Sequence, residues 1–175
     1  MTPRTTYADL VDGYLAEPTP DSLGALRRAV RAAPGFDPDL GVRTHAGALL
    51  RDGKDAEAVT VLEESMPGSL FSPSAHAMLA NTLRRTGRDD AAARHARLSR
   101  AALDSILSTG DGSRERPWSV LRISDEYDVV DSLGDRPRRQ ALLRDGLRTL
   151  DRIECQDGRV VHFDVTGVPQ AVVRA

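Results

Sequence analysis

Five polar side chains in the C-terminal part of the sequence could gather into a site for acid–base chemistry. They are Asp111, Glu126, Asp151, His162 and Asp164. His162 and Asp164 lie two residues apart on one face of a predicted strand, a spacing that suits metal ligation or general acid–base catalysis. The same alternation places them on the face opposite Val161 and Phe163, where solvent is expected. We therefore favour a solvated strand surface over a catalytic or metal site.

A group of arginines could bind anions. Arg84, Arg85 and Arg88 share one face of a predicted helix with Asn81, by spacing alone. Nearly all basic residues of the chain are arginine, and Lys54 is the only lysine. The planar guanidinium suits paired hydrogen bonds to carboxylates and phosphates. An ordinary solvated helix face would contain the same residues, because charged side chains mostly lie exposed.

The segment Gly110-Asp111-Gly112 is a predicted turn, because glycine tolerates positive φ and aspartate can bond its own backbone. A phosphate or cation loop is the alternative, but this segment does not follow a strand and open a helix as phosphate loops do. The sequence also contains no nucleophile elbow, metal motif or glycine-rich nucleotide fingerprint. We assign no catalytic residue, metal or cofactor.

Histidines and aromatic residues add no clear site. His45, His76 and His95 do not fall at a shared ligand spacing, and His45 replaces an apolar repeat position, which predicts partial burial. Trp118 and Tyr127 could form an aromatic recognition patch. Because aromatic residues make up only 4% of the chain, we expect both in the core instead.

An internal repeat of 34 residues determines how the middle of the chain must fold. Gly53 and Gly87 are 34 positions apart, and small or apolar residues recur around them at the same offsets. The matching pairs are Ala46 and Ala80, Leu49 and Leu83, and Ala58 and Ala92. This order predicts two closely packed antiparallel helices: a small residue, a leucine, a turn glycine and a second small residue.

The hydrophobic spacing predicts helices over residues 40–51, 55–65, 74–86 and 89–107, with glycine at the turns and aspartate capping the helix that follows each turn. Residues 7–33 form a degenerate first hairpin, with Asp21 or Ser22 as the cap of its second helix. Six helices in three pairs satisfy the need of such arrays for at least three units.

After residue 116 the pattern changes to that of a small sheet. We predict a strand near Trp118 and a short helix capped by Ser124. Three further strands are predicted over residues 140–143, 150–155 and 160–165. A three-residue turn with Gly158 in the left-handed region pairs Ile153 with Val161. The prediction is an α+β fold: helical hairpins over residues 1–108, followed by an α+β unit with an antiparallel sheet over residues 109–175, packed on the last helices. We expect the tail from residue 167 to 175 to be loosely held.

The repeat resembles the tetratricopeptide repeat family over about residues 39–103, although Val42 and His76 replace its early aromatic residue and Asp55 and Asp89 the aromatic after the turn. The resemblance implies a concave groove lined by the first helix of each repeat. Its positions in this sequence are Arg43, Gly47, Leu50, Arg51, Ala77, Asn81, Arg84 and Arg85. A groove with these arginines implies a partner with an acidic segment or a terminal carboxylate.

The C-terminal part is similar to an uncharacterised bacterial family with a domain of unknown function. The matching elements are Ser108-Thr109-Gly110-Asp111-Gly112, Ser124-Asp125-Glu126-Tyr127 and Phe163-Asp164. This similarity implies a fold and no established activity.

Composition narrows the function classes. The formal net charge of −2 argues against a general nucleic-acid binder. The single cysteine, Cys155, excludes an intramolecular disulfide, and no signal sequence or membrane span is predicted, so we expect a cytoplasmic protein.

The leading hypothesis is therefore an adaptor that binds a protein or peptide through Arg43, Arg51, Asn81, Arg84 and Arg85. The alternative is a small enzyme or ligand-binding protein with Asp111, Glu126, His162 and Asp164 in a crevice between the two units. A subunit that dimerises through its repeat faces is a third hypothesis.

Overall fold

The computed structural model describes residues 6–66 and 68–168 and confirms the α+β fold. Seven helices and four strands follow one another along these residues. In chain order they are α1 Tyr7–Ala16, α2 Pro20–Arg31, α3 Gly41–Arg51, α4 Asp55–Ser65, α5 Pro73–Arg85, α6 Asp89–Leu107, β1 Trp118–Ser119, α7 Ile123–Ser132, β2 Pro137–Asp145, β3 Arg148–Cys155 and β4 Val160–Asp164.

The turns of the repeat have the same backbone in both copies. Gly53 and Gly87 have φ of 72° and 75°, the left-handed conformation that glycine adopts without strain. The next residue donates its N–H to a leucine carbonyl at 2.9 Å in each case, from Lys54 to Leu49 and from Arg88 to Leu83. This duplicated geometry confirms the predicted hairpins α3–α4 and α5–α6.

The helices after these turns are not capped as predicted. Lys54 and Arg88 hold the N-cap positions of α4 and α6, without a side-chain cap hydrogen bond. Asp55 and Asp89 lie in the first turns instead, where they meet the positive end of the helix dipole.

One apolar cluster joins the two repeat hairpins. Fully buried Leu62 of α4 packs with Leu79 and Leu83 of α5, and Ala46 of α3 and Ala92 of α6 allow the helices to approach closely. The small residues predicted from the repeat therefore lie in the shared core.

The first hairpin departs from the expected stack. Its apolar side chains cluster with Phe36, Phe71, Leu98, Ala102 and Leu121, and that cluster contains no described residue of α3 or α4. The hairpin packs against α6 because α6 has 19 residues, whereas α4 has 11. The longer helix offers an additional apolar face that the first hairpin covers.

The cap of α2 is Thr19 and not Asp21 or Ser22. The Thr19 side chain accepts the N–H of Ser22 at 3.2 Å, and Ser22 Oγ accepts the N–H of Thr19 at 3.0 Å. Pro20 at the first helical position favours this start, because its fixed φ suits a helix and its missing N–H needs no partner.

The sheet has the strand order β1-β4-β3-β2. Ile153 pairs with Val161 and Gly158 has a φ of 89°, so the predicted register is confirmed. The three longer strands are antiparallel, as predicted, but β1 pairs with β4 in parallel, which makes the sheet mixed.

The predicted strand near Trp118 is only two residues long because α7 begins early. Arg122, rather than Ser124, holds the N-cap position of α7. The Asp125 carboxylate accepts the backbone N–H groups of Leu121 and Arg122 at 3.1 and 3.0 Å, which fixes the turn from β1 into the helix.

The core of the C-terminal unit lies between the sheet and the helices. Buried Trp118, Phe163, Ile153 and Val129 cluster with Ile106 at the end of α6. None of the described helices has both the length and the apolar character that crossing a bilayer requires. Most of the predicted loose tail, from residue 169 onward, lies outside the described residues.

Candidate functional site

A depression of 380 Å³ lies on α3, where the repeat resemblance implies a groove. Arg43, Gly47 and Arg51 of the implied groove line it, and Met78 of α5 contributes from the neighbouring hairpin. Gly47 keeps the surface low: a Cβ at this position would lie 3.6 Å from Nη1 of Arg51, which extends over it. We call this depression the α3 groove.

Arg43 of the α3 groove already pairs with a carboxylate of the protein itself. Asp128 of α7 lies 4.0 Å from Nη1 of Arg43 and accepts the N–H of Ser74 at 3.1 Å, in the first turn of α5. Burial raises the pKa of Asp128, while the bond to Ser74 and the charge of Arg43 lower it. The guanidinium of Arg43 and the N–H of Ser74 in the first turn of α5 thus act together as donors to one carboxylate.

Arg122 positions α7, the helix that contains Asp128. Its buried guanidinium donates from Nε to the carbonyl of Asp37 at 3.0 Å, and from Nη2 to the carbonyls of Gly68 and Leu70 at 3.1 Å. These carbonyls belong to the loops that lead into α3 and α5. The guanidinium also lies 4.7 Å from the centre of the Phe36 ring. Sequence reasoning did not find Arg122, since a single arginine before a helix has no distinguishing pattern.

The arginines differ in how much of their binding capacity is free. Arg43 has 39% of its side chain exposed, so part of the guanidinium remains open beside Asp128. Arg51 is exposed and has no hydrogen-bond or ion-pair partner among the residues that the structure describes. The two arginines are therefore available to a ligand in the α3 groove.

The other predicted groove residues do not line the α3 groove. Arg84 donates to Asn81 Oδ1 at 3.1 Å, within α5. Arg85 pairs with Asp55 of α4 at 2.8 Å, across the two hairpins. Arg88 makes a similar pair with Glu63 of α4, at 2.9 Å.

The four residues of the alternative site are not brought into one cluster. His162 and Asp164 alternate along β4 with Phe163, which pairs with Asp151. Glu126 lies on the Asp151 face of the sheet, so it is separated by the sheet from His162 and Asp164. Among the described residues, no hydrogen bond or ion pair joins any two of the four.

Asp111 occupies a structural turn next to β4. The N–H groups of Asp111 and Gly112 both point to the Arg116 carbonyl, and the Gly112 carbonyl accepts the N–H of His162 at 2.9 Å. A Cβ on Gly112 would lie 2.6 Å from the Trp118 ring. The glycines are needed for close packing, which supports the structural interpretation of the turn.

Glu126 and Asp151 form a buried carboxyl pair that is bridged by Gln140. Nε2 of Gln140 donates to Glu126 at 3.2 Å and to Asp151 at 2.6 Å, and the Tyr127 hydroxyl donates to its Oε1. Tyr127 is 39% exposed and lies over the pair, contrary to its predicted core position, whereas Trp118 is buried as predicted.

Burial, followed by the charges of Asp151 and Asp125, raises the pKa of Glu126 to about 9. Glu126 is therefore a neutral acid at pH 7, which is the state that a general acid requires. Its side chain is fully buried, and neither Glu126 nor Asp151 lines the α3 groove. Burial also raises the pKa of Asp151, and neither carboxyl group of the pair opens onto the α3 groove.

Two histidines that the sequence did not link are in direct contact. Nδ1 of His76 in α5 lies 3.0 Å from Nδ1 of His95 in α6, and the rings stack. Burial, and secondarily His95, lowers the pKa of His76 to about 3, so the pair is neutral at pH 7. The prediction for His45 was wrong: this residue is exposed, because its face of α3 is not covered by another helix.

Comparison of the chain with protein-family models, with curated proteins and with solved structures gave no match. The resemblances drawn from the sequence remain predictions, and the function is inferred from the geometry of the α3 groove.

Proposed function

We propose that this protein is a helical-repeat adaptor that binds an acidic protein segment in the α3 groove. The observation that carries the proposal is the carboxylate of Asp128, held between Arg43 and the amide of Ser74. An acidic side chain or a C-terminal carboxylate of a partner would bind the part of the Arg43 guanidinium that remains exposed beside Asp128. Exposed Arg51 would bind a second carboxylate of that partner.

The distance between the two arginines defines the pattern of the partner. Arg43 and Arg51 are eight positions apart on one helix, which corresponds to about 12 Å along its axis. An extended peptide covers this distance in roughly three to four residues. We therefore expect two acidic residues at that separation, with a small or apolar residue between them that contacts Met78 and the surface over Gly47.

The test uses a fluorescently labelled peptide with two glutamates separated by three residues, and fluorescence anisotropy at low and moderate salt. The wild type should bind it, and the double variant R43E/R51E should bind at least about tenfold more weakly, because it loses two charge-assisted contacts. The matched control is R136E/R139E, which makes the same charge change on exposed arginines before and within β2.

Equal loss in both double variants would show that only net charge matters, and would overturn the α3 groove as the site. Binding of the same peptide with its glutamates replaced by glutamine would also contradict the proposal. The variant R84E/R85E tests the remaining residues that the repeat resemblance implied. Circular dichroism and thermal unfolding establish that each variant is folded.

A further inference from the structure

A second cavity, of 480 Å³, lies between the first hairpin and the start of the C-terminal unit. Leu23 and Arg27 of α2 form one side, and Ser108 and Ser119 form the other. Tyr14 of α1 also lines it. This volume is in the range of small-molecule sites, and the cavity shares no lining residue with the α3 groove.

The cavity contains one positive charge and no carboxylate. Arg27 is the only charged residue among those that line it. Its Nη1 donates to Ser119 Oγ at 2.9 Å and its Nη2 to the Ser119 carbonyl at 2.6 Å, while its buried Nε has no partner in the described residues. No carboxylate oxygen of the described residues lies within ion-pairing distance of the guanidinium. A largely desolvated cation without a direct counter-ion is costly, and a bound anion would relieve that cost.

Donors toward an anion are present at one point of the cavity. Ser119 Oγ accepts a hydrogen bond from Arg27, and its own hydroxyl proton has no acceptor among the described residues. Nη1 of Arg27 and Oγ of Ser119 lie 2.9 Å apart in the lining, so both groups can donate to one bound anion. A carboxylate offers two acceptor oxygens in the geometry that a guanidinium and an adjacent hydroxyl can bind.

The rest of the lining is mostly apolar. Pro18, Pro20 and Leu23 supply hydrocarbon surface. Hydrated dianions such as phosphate gain nothing from this surface, whereas the hydrocarbon part of an organic acid is stabilised in proportion to the apolar area that it buries. The combination favours a ligand with one charged end and an apolar body.

We propose that this cavity is a binding site for a small apolar monocarboxylate, with Arg27 and Ser119 binding the carboxylate and Leu23 contacting the hydrocarbon part. The site differs from the α3 groove in residues and in ligand chemistry. It lies between the two units of the chain, as the alternative hypothesis from the sequence required, but is formed by other residues.

The experiment is isothermal titration of the full chain with hexanoate, benzoate, hexanol and inorganic phosphate. Hexanoate or benzoate should bind, and hexanol and phosphate should bind at least about tenfold more weakly, since each lacks one of the two features. R27Q should lose about tenfold or more in affinity for the carboxylate. R136Q changes an exposed arginine that does not line the cavity; it is the control and should bind as the wild type does.

Because Arg27 also connects α2 to Ser119, the variant R27Q could unfold. The variant G24L adds a side chain to the lining of the cavity without removing Arg27, since a Cβ at Gly24 would meet only Nη1 of Arg28, at 3.4 Å. It too should lose carboxylate binding while keeping the wild-type circular dichroism spectrum. Three results would overturn the proposal: no binding of either carboxylate, phosphate binding as tight as that of hexanoate, or unchanged carboxylate binding in G24L.

Discussion

The hairpins α3–α4 and α5–α6 share their turn but differ in their surroundings. Their turn glycines have nearly equal φ, and equivalent backbone hydrogen bonds close both turns. The second helix of the later hairpin, however, is 19 residues long against 11 in the earlier one. Its additional turns contribute Ala102 to the core of the first hairpin and Ile106 to the core of the sheet. A repeat in sequence thus reproduces local geometry, whereas the partners of each copy decide its packing.

The two copies also differ in chemistry at equivalent positions. His76 and His95 form the histidine contact of the later hairpin. The residues 34 positions earlier are Val42 and Val61. The later hairpin therefore contains a polar pair with lowered pKa values where the earlier one has aliphatic residues, which adds an acid-sensitive contact to the later copy.

The largest expected loss of stability comes from removing the side chain of Arg122, which connects α7 to the loops before both hairpins. Replacing Arg122 with methionine removes the hydrogen bonds to the loops before α3 and α5 and leaves the buried Asp125 without its nearest cation. We expect a loss of about 3–5 kcal/mol in the free energy of unfolding, measured in urea. R116M is the control, because Arg116 has 72% of its side chain exposed and should contribute less than about 1 kcal/mol. Equal effects would contradict the role assigned to Arg122.

The next largest loss of stability is expected from truncating a leucine, and it should differ between equivalent positions in the two hairpins. Leu83 is fully buried in the shared core, whereas Leu49 is half-buried. L83A should cost about 2–5 kcal/mol of unfolding free energy and L49A clearly less, because less apolar surface is lost. Chemical denaturation of both variants measures the difference. A larger effect at Leu49 would show that the earlier hairpin carries more of the core than the structure indicates.

The histidine pair predicts a dependence of stability on pH in the later hairpin. The folded-state pKa of His76 is about 3, far below the value of an unfolded histidine. The unfolded chain therefore binds more protons below about pH 6.5, and stability falls as the pH is lowered through that range. Between pH 7 and pH 5 the loss should be about 2 kcal/mol from this group.

The variant H76V/H95V copies the valines of the earlier hairpin and should remove that part of the acid sensitivity. The comparison variant H45V removes an exposed histidine on α3 that lies outside this contact. Denaturation curves at the two pH values measure the effect. An unaltered pH profile in H76V/H95V would contradict the assignment.

The smallest expected change in stability concerns the turn glycines, which the two copies share. A Cβ added at Gly53 or Gly87 would meet no atom of the described residues within 4 Å, so only the positive φ opposes a side chain. G53A and G87A should each cost about 1 kcal/mol, and by equal amounts. G13A in α1 has the same free space without a positive φ, and should stabilise by up to about 1 kcal/mol, because alanine favours a helix. Unequal costs at the two turns, measured by thermal unfolding, would show that the turns differ energetically despite their common geometry.

Local features were predicted well, and features that need distant parts of the chain were not. The helix 89–107, the turn glycines and the pairing of Ile153 with Val161 follow from spacing and turn chemistry, and the structure confirms them. Of the candidate site residues, Arg43 and Arg51 line the α3 groove together. The contact of His76 with His95, the burial of Arg122 and the cavity at Arg27 had no local signal.

The sequence by itself determined the helical hairpins, their turns and the strand register, because neighbouring residues decide backbone conformation and which faces are apolar. Only the tertiary structure decided that Asp128 of α7 meets Arg43 of the α3 groove, and that Arg27 lines a cavity with Ser119. These contacts join residues far apart in the chain. They depend on how the apolar faces of whole elements pack together, which no short stretch of sequence specifies.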